Sequence, residues 1–316
     1  MGKEIRIEFE HAFYHVISRG NTRSRIFKKD RDRKKFLEYL QAINDKYSIK
    51  IHAYCLMGNH YHLLLETPQG NLSKAMHKLN TSYTNFYNYH HKRSGHLFSG
   101  RYRAILVEKD NYAQVLSAYI HLNPVRAGIV TKPDEYEWSS FKYYSKELVN
   151  LPDFMSNDLI LSYFDRDIKV ASQKYISYMK ERADSRKNPL NEIKAGVILG
   201  SEHYIEWIRK NIGFDSRLGE KIKQSQKQKS AKSIEKHIRK LISDDMEINE
   251  KLKRKILIYL LRENTPHSLK EIGREFGIKA SAINMIVKRF KDKIAREEEL
   301  KNKIDMIIEK VKMCNV

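Results

Sequence analysis

The chain has 316 residues, and its 60 Lys and Arg residues outnumber 39 Asp and Glu residues, which gives a formal charge of +21 and a pI near 9.7. This length allows two or more domains, and the positive charge favours a polyanionic partner, with nucleic acid ahead of an anionic membrane. The sequence has neither an apolar run near the roughly 18 residues of a membrane span nor an apolar signal core, so we expect a soluble, cytoplasmic protein without a membrane partner. Cys55 and Cys314 are too few for a disulfide framework and lack zinc-site spacing.

Strand-like and helical patterns alternate over about the first 110 residues. Gly58 and Asn59 form a plausible hairpin turn between two of the strands. The order of strand, helix, strand, strand, helix, strand suits a ferredoxin-like α+β fold with an antiparallel sheet. The predicted elements are Ala12–Ser18, Asp30–Lys46, Lys50–Met57, His60–Glu66, Asn71–His90 and Tyr102–Glu108.

A further helix is predicted over Asn111–Asn123, ending at Pro124 because the residue before a proline avoids the α region. Residues 133 to about 212 look mainly helical and carry no recognisable chemistry beyond basic and aromatic side chains. Residues 217 to 240 are rich in Lys and Arg, which predicts a basic linker, with ordinary solvated surface as the alternative. We expect a domain boundary there, within about ten residues.

The remainder of the chain is predicted to be all-helical. Ser268 and Glu271 have the spacing of a capping box, and Gly277 separates this helix from the next. Helix, glycine turn and helix together predict a helix-turn-helix, with a hairpin used only for packing or dimerisation as the alternative. Given the charge we favour DNA binding, including duplex DNA, through the outward residues of the second helix: Lys279, Ser281, Asn284 and Lys288.

A histidine pair, His60 and His62, occupies one of the predicted strands. Residues two apart in a strand point to the same face, so the two imidazoles stand side by side. Such a pair alone is weak evidence for a metal site. Tyr119 and Asn123 lie four apart on a predicted helix and share a face. The two imidazoles and the amide oxygen would then bind one cation, with the tyrosine beside it as a nucleophile.

Four motifs extend this pattern: MGNHYHLLLE, GRYRAILVEKDNY, YIHLNPVRAG and EWSSFKYY. In this order and spacing they resemble the single-tyrosine HUH transposases, most closely the REP-associated tyrosine transposases. The resemblance covers about residues 10 to 145. It implies a ferredoxin-like HUH domain in which His60 and His62 are metal ligands, Tyr119 is the nucleophile and Asn123 completes the metal site.

By the same resemblance the substrate is single-stranded or hairpin DNA, and the chain is a nucleoid-associated transposase that forms a 5′-phosphotyrosine. The cofactor Mg²⁺ or Mn²⁺ is likewise implied by the family, because imidazole ligands alone suit zinc, copper or iron better. Relatives suggest a monomer that uses its own tyrosine, with a dimer that exchanges the catalytic helix as the alternative. No residue in the sequence stands out as the base for Tyr119, and His121 is expected to pack or to contact DNA.

Basic and aromatic residues near these motifs are expected to line a DNA groove. Tyr83, Tyr87 and Tyr102 would supply the stacking surfaces. The cations expected to contact DNA are Arg19, Arg23, Arg25, Arg101, Arg103 and Arg126.

We therefore expect four regions: a catalytic domain over residues 1–150, a helical extension over 151–216, a basic linker over 217–232 and a DNA-binding domain over 233–316. Two other functions stay open. The first is a hairpin-binding regulator that has lost its chemistry, although such a protein has no need of a complete set of site residues. The second is a plasmid-type replication initiator or relaxase, which usually carries its tyrosine in a different sequence context.

Overall fold

A computed structural model describes residues 6–145, 150–183, 188–213, 218–220, 222, 235–236, 238–243, 249–264 and 268–313. The chain divides into two compact units, Met1–Leu218 and Gly219–Val316. Most of the basic linker expected over 217–232 lies outside the described residues. Within the described part of the chain, no helix is both long enough and apolar enough to cross a bilayer.

The first unit is a mixed α/β structure, and its opening six elements follow the order expected from the sequence. Alternating and helical hydrophobic patterns produced that expectation, and the observed bounds differ from it by only a residue or two. The elements are strand β1 (Ala12–Arg19), helix α1 (Asp30–Tyr47), strands β2 (Lys50–Met57) and β3 (His60–Thr67), helix α2 (Leu72–His90) and strand β4 (Arg103–Val107).

The remaining elements of the first unit are mostly short helices. They are α3 (Lys109–His121), α4 (Asn123–Arg126), α5 (Lys142–Ser145), α6 (Asp158–Ser162), α7 (Ile168–Ala183), strand β5 (Ile198–Leu199) and α8 (Glu202–Asn211).

The sheet has five strands in the order β2-β3-β1-β4-β5. Strands β1 to β4 pair antiparallel, whereas β5 runs parallel to β4, with Leu106 opposite Ile198. Helices α5 to α8 confirm the expectation that residues 133 to 212 are mainly helical, and the two-residue strand β5 is an element that the sequence did not predict. Its two residues are too few to show any period in the sequence, and the neighbouring strand alone makes them extended.

Two layers of helices cover the sheet. Helices α1 and α2 pack together on one face through an aromatic cluster in which Phe36 touches Tyr61 and Tyr83. All three rings are fully buried, and each contributes roughly 2 kcal/mol through burial of apolar area. Helix α3 packs against β2 and β3. Because Tyr61 points towards α1, its neighbours His60 and His62 point to the opposite face.

The turn between β2 and β3 is the predicted two-residue hairpin, since Met57 pairs with His60 across Gly58 and Asn59. The Gly58 carbonyl also accepts hydrogen bonds from the backbone N–H groups of Ile26 and Phe27, at 3.0 and 3.1 Å. The hairpin therefore holds the histidine-bearing end of β3 against the loop that follows β1.

Helix α3 ends at His121, two residues before the predicted end at Asn123. Pro124 lies instead inside the short helix α4, near its start, where a missing N–H costs little. The Ile120 carbonyl cannot receive an i+4 hydrogen bond from a proline, so the ladder breaks there and the chain bends between α3 and α4.

The second unit is helical, with α9 (Glu250–Asn264), α10 (Leu269–Phe276), α11 (Ala280–Arg296) and α12 (Glu298–Met313). The predicted capping box is present: the Glu271 N–H donates to Ser268 Oγ at 3.2 Å, and the Ser268 N–H donates to the Glu271 carboxylate at 2.8 Å. Gly277 ends α10 with a φ of +67°, in the left-handed region that glycine enters without strain.

Candidate active site

The two histidines of β3 lie side by side, as the strand alternation predicts. Their ring centroids are 5.0 Å apart and the rings are nearly perpendicular, at 80°. Tyr61, between them, turns to the other face, where its hydroxyl donates to Asn80 Oδ1 at 2.7 Å. The strand thus presents two imidazoles to one side and anchors itself on the other.

The ring of His60 is held through its Nδ1 atom. Nδ1 lies 2.7 Å from Asn59 Oδ1, and the Asn59 amide nitrogen donates to the Arg23 carbonyl at 3.3 Å. Because the amide nitrogen faces a carbonyl, its oxygen faces the imidazole, which must donate from Nδ1. The Nε2 atom of His60 therefore keeps a lone pair that can bind a cation.

The ring of His62 is also held through Nδ1, by a residue that the sequence analysis missed. Its partner is His15 of β1, whose Nε2 lies 2.9 Å away, and the two rings are stacked at 5.2 Å. Both side chains are buried. The register of β1 on β3, with Ile17 opposite His62, creates this contact, and register across two distant segments cannot be read from a single sequence.

Tyr119 of α3 lies over the histidines. Its ring centroid is 6.1 Å from those of His62 and His15, with edge-to-face geometry. Burial raises the pKa of the Tyr119 phenol, while the Arg126 and Arg19 guanidiniums lower it. Arg126 also lies against the aromatic face, with its Cζ 5.1 Å from the ring centroid.

Asn123 is linked to the tyrosine backbone, because its Nδ2 donates to the Tyr119 carbonyl at 2.8 Å. This bond uses the amide nitrogen and leaves Oδ1 as the remaining polar atom. The half-buried side chain sits at the start of α4, where the bend after α3 places it.

These side chains offer two imidazole Nε2 atoms and one amide oxygen, a donor set that fits a divalent cation. Burial, followed by the nearby Arg19 charge, lowers the pKa of His60 to about 4. Burial, with His15 as the next cause, lowers the pKa of His62 well below its usual range. Both rings are therefore neutral at pH 7, as metal ligands must be.

The amide oxygen of Asn123 would be the third protein donor of this set. Among the described residues, no group of three or more His, Cys, Asp or Glu side chains is placed to hold a metal ion. A third protein donor to a site on His60 and His62 would therefore come from outside those residue types, and Asn123 offers one.

His121, two residues beyond Tyr119, is a packing residue. Its Nδ1 lies 2.7 Å from the Tyr175 hydroxyl and its Nε2 lies 2.7 Å from Ser140 Oγ. Ser140 Oγ in turn accepts a hydrogen bond of 2.8 Å from the backbone N–H of Tyr54 in β2. Burial lowers the pKa of His121 to about 3. These contacts fix α3 to the sheet and to α7.

The arginines expected to contact DNA are all exposed, and several gather near the histidines. Arg19 is the register partner of His60, and Arg103 pairs with Ile17 nearby on β4. The exposed arginines are Arg19, Arg23, Arg25, Arg101, Arg103 and Arg126.

The expectation that Tyr83, Tyr87 and Tyr102 supply stacking surfaces for bases is wrong, because all three are buried. The Tyr87 hydroxyl donates to the Arg25 carbonyl at 2.7 Å, and the Tyr83 hydroxyl donates to the next carbonyl along the chain. Tyr83 and Tyr87 pack beneath the loop that carries Arg25 and fix its backbone.

In the second unit, the residues expected to face outward are exposed: Lys279, Ser281, Asn284 and Lys288. Met285, 55% exposed, lies beside them on α11 and was not singled out from the sequence. The buried side of the same helix contributes Ile283 and Val287 to a cluster shared with α9 and α10.

The described geometry defines a site made of a histidine pair and a tyrosine, on one face of a mostly antiparallel sheet. Residues 8–123 match the family model described as IS200-like transposase. The matched segment includes His60, His62 and Tyr119 and ends at Asn123. This match confirms the resemblance to single-tyrosine transposases for the N-terminal part of the chain.

Comparison with solved structures gives two further likenesses. A REP-associated tyrosine transposase bound to a REP hairpin has a TM-score of 0.41 and 15% identity, over 49% of this chain and 94% of that chain. A protein from Deinococcus radiodurans R1, described as a candidate transposase, has a TM-score of 0.28 and 20% identity, over 36% of this chain and 93% of that chain. The resemblance rests on the family model over residues 8–123 and not on these two likenesses. No curated protein matches the sequence.

Proposed function

We propose that this chain is a metal-dependent DNA transesterase, which cleaves and rejoins single-stranded hairpin DNA through a phosphotyrosine at Tyr119. The observation that carries this proposal is the placement of Tyr119 beside His62, whose ring lies next to that of His60, in a segment that matches the IS200-like transposases. The order of the first six elements and the sheet order β2-β3-β1-β4 support a ferredoxin-like HUH domain as its scaffold.

The proposed reaction is a displacement at phosphorus. The Tyr119 oxygen attacks the scissile phosphate, the bond to the 3′ oxygen breaks, the phenolic proton passes to solvent, and the departing 3′ oxygen takes up a proton from solvent. The products are a 5′-phosphotyrosine and a strand that ends in a 3′-OH. Because the phosphodiester is replaced by another phosphate ester, a 3′-OH can reverse the step and join strands without ATP.

Nε2 of His60, Nε2 of His62 and Oδ1 of Asn123 would hold the cation. A bound Mg²⁺ or Mn²⁺ would supply positive charge to a nonbridging phosphate oxygen. The donors are uncharged and so leave the ion its full charge, but they do not select magnesium or manganese, which follow from the family resemblance. Arg126, next to the Tyr119 ring, would offset negative charge on the phenolate and the phosphate.

Exposed arginines around the histidine end of the sheet would contact the DNA backbone. Arg19 and Arg103 lie on neighbouring strands, and the loop carrying Arg23 and Arg25 is anchored from below by buried tyrosines. Charge at fixed positions favours a polyanion through counterion release. Hairpin DNA as the substrate follows from the family, and the solved relative bound to a REP hairpin is consistent with it.

In the second unit, α10 and α11 with the Gly277 turn would form a helix-turn-helix that binds duplex or hairpin DNA. The surface of α11 carries Ser281, Asn284 and Lys288, which suit base edges and phosphates. A basic linker before it and a helical extension after the catalytic domain complete the proposed organisation.

The experiment that tests the function compares intact protein with Tyr119→Phe on end-labelled single-stranded palindromes, with Mn²⁺, Mg²⁺ or EDTA. We expect nicking by the intact protein with metal only, and binding without nicking by the variant. An undiminished nicking rate in the variant would rule out Tyr119 as the nucleophile. Tight binding by the intact protein without nicking in any metal would instead favour a hairpin-binding regulator.

A further inference from the structure

We infer that His15 is a positioning residue of the active site, which orients the His62 ring and fixes the position of its proton, so that Nε2 of His62 is free to bind the cation. The inference rests on the proposed function and adds a residue to it. Its observation is the contact between two buried histidines on adjacent strands, directly beneath Tyr119.

Strand pairing and burial hold both residues of this contact in place. His15 and His62 sit on β1 and β3, which pair along eight consecutive positions, and both side chains are at most 4% exposed. The 2.9 Å hydrogen bond joins Nε2 of His15 to Nδ1 of His62, while the rings stack at an angle of 20°. The His62 ring therefore has one orientation, in which Nδ1 is occupied and Nε2 is the remaining nitrogen.

The direction of that hydrogen bond decides whether the site can bind a metal. A neutral imidazole donates from one nitrogen and accepts at the other. If Nε2 of His62 is to bind a cation, Nδ1 must carry the proton and donate it, so Nε2 of His15 must accept. The opposite direction would place a proton on Nε2 of His62 and block the site. A second residue that fixes the proton of a metal ligand in this way commonly strengthens metal binding.

If Nε2 of His15 accepts the hydrogen bond, the buried ring has an energetic cost that an apolar side chain of the same volume would not have. Its proton then resides on Nδ1, and this buried atom has no hydrogen-bond partner among the residues that the structure describes. A phenylalanine would fill the same space without a buried unsatisfied donor. The imidazole is therefore better explained by what its Nε2 does for His62 than by the volume it fills.

His60 provides an internal comparison. Its Nδ1 donates to an amide oxygen, which cannot donate in return, and that amide is fixed by a backbone carbonyl. Each ligand of the pair thus has its Nδ1 engaged and its Nε2 available. The atom facing Nδ1 of His62 is an imidazole nitrogen, which can donate or accept, whereas the atom facing Nδ1 of His60 is an oxygen that can only accept. Substitution of His15 therefore tests directly whether His15 fixes the proton of His62.

Two substitutions separate the hydrogen bond from the volume. His15→Gln keeps an acceptor at about the position of Nε2, whereas His15→Phe keeps only the ring volume. His52→Phe is the matched control, because His52 is also buried in the sheet but its Nδ1 contacts the Ser156 carbonyl on another part of the unit. Full-length protein is used throughout, and thermal unfolding identifies any variant that fails to fold.

The first readout is the imidazole nitrogen NMR spectrum of metal-free protein labelled in histidine, with His62 assigned from a His62→Gln spectrum. We expect the proton of His62 on Nδ1 in the wild type and in His15→Gln, and loss of that single form in His15→Phe. A wild-type His62 protonated on Nε2, or an unchanged form in His15→Phe, would overturn the inference.

The second readout is the dissociation constant for Mn²⁺ alone, measured by electron paramagnetic resonance. We expect it to rise about 10- to 100-fold in His15→Phe and to stay near the wild-type value in His15→Gln and His52→Phe. Equal Mn²⁺ affinities in wild type and His15→Phe would overturn this inference but not the proposed metal site. A wild type that binds no Mn²⁺ would overturn the proposed metal site, and the inference with it.

Discussion

At the scale of single residues, the proposed metal site depends on imidazoles that are neutral before a metal binds. Burial provides that state for His60 and His62, because moving a charge away from water disfavours the protonated form. In an ordinary surface pair, protons would compete with the metal below about pH 6.5. Here that competition begins only at a much lower pH.

The affinity for Mn²⁺ should therefore change little between pH 7.5 and pH 5.5. With the pKa of His60 at about 4 and that of His62 also far below its usual range, proton competition should reduce the affinity by less than about twofold. Two imidazoles with ordinary pKa values would lose about a hundredfold over the same interval. Isothermal titration at both pH values measures this, and a loss near a hundredfold would contradict the account.

Arg126 should accelerate cleavage through its charge next to the Tyr119 ring. Its guanidinium lowers the pKa of that phenol, so Arg126→Gln should raise the pKa and leave less phenolate at neutral pH. We expect single-turnover cleavage at pH 7.5 to slow by about tenfold, which is less than the effect of removing a buried hydrogen-bond donor to a developing negative charge. The rate should partly recover at higher pH, where more of the phenol is ionised. Arg209→Gln, an exposed arginine of α8, is the control. An unchanged pH-rate profile would argue against this role.

The sequence singled out the residues of the proposed chemistry, whose roles stay predictions, but it did not single out the residue that supports them. His60, His62, Tyr119 and Asn123 were found because short spacings within one strand or one helix determine which residues share a face. His15 was missed because its relation to His62 depends on the register between two strands 47 positions apart. Burial likewise depends on contacts between distant segments, so the sequence did not show that Tyr83, Tyr87 and Tyr102 are buried while the arginines near them are exposed.

At the scale of elements, α3 needs a fixed position, because it carries Tyr119 to the face of the sheet. His121 provides it by joining Tyr175 of α7 to Ser140, which is bonded to β2. The elements themselves were largely predictable, since four strands and two long helices have clear hydrophobic periods. Strand β5 was not, because pairing with β4 determines its conformation.

Replacing His121 with alanine should destabilise the first unit by about 2–4 kcal/mol at pH 7.5, through a cavity and two lost hydrogen-bond partners. This difference should shrink at lower pH. The folded state keeps His121 neutral with a pKa of about 3, whereas the unfolded chain takes up a proton below about pH 6.5, so its stabilising contribution falls as pH decreases. At pH 5 the difference should be about 2 kcal/mol smaller.

Urea unfolding followed by tryptophan fluorescence measures this difference, because both tryptophans, Trp138 and Trp207, lie in the first unit. Ser162→Ala, a change at an exposed position at the end of α6, is the control for small surface effects. A destabilisation by His121→Ala that is the same at pH 7.5 and pH 5 would contradict a neutral, buried His121.

At the scale of the whole molecule, we propose that the first unit performs the catalysis and that the second unit adds DNA binding. The first contains every residue of the proposed chemistry, and the second contributes exposed Asn284 and Lys288 on α11, with Lys279 directly before that helix. Given the large positive charge of the chain, the proposed DNA affinity would depend on salt, with a slope that reflects the number of phosphates contacted.

Removing residues 219–316 should weaken binding to hairpin and duplex DNA, and should reduce the salt dependence of binding, while some cleavage remains. The reason is that the second unit would supply phosphate contacts but no catalytic residue. Fluorescence anisotropy over a series of salt concentrations measures the slope, and a nicking assay on the same protein measures activity. Equal affinity and equal slope for the truncated and full chains would refute a DNA-binding role for the second unit.

The proposed function requires a covalent phosphotyrosine at Tyr119, and a denaturing gel tests for this intermediate most directly. Intact protein is incubated with a palindromic single strand labelled on the 3′ side of the cut, with Mn²⁺ or EDTA, and the adduct is digested and analysed by mass spectrometry. The account predicts a metal-dependent adduct on the peptide that contains Tyr119, absent in Tyr119→Phe. A labelled adduct on another residue, or cleavage that leaves a free 5′-phosphate without any adduct, would contradict it.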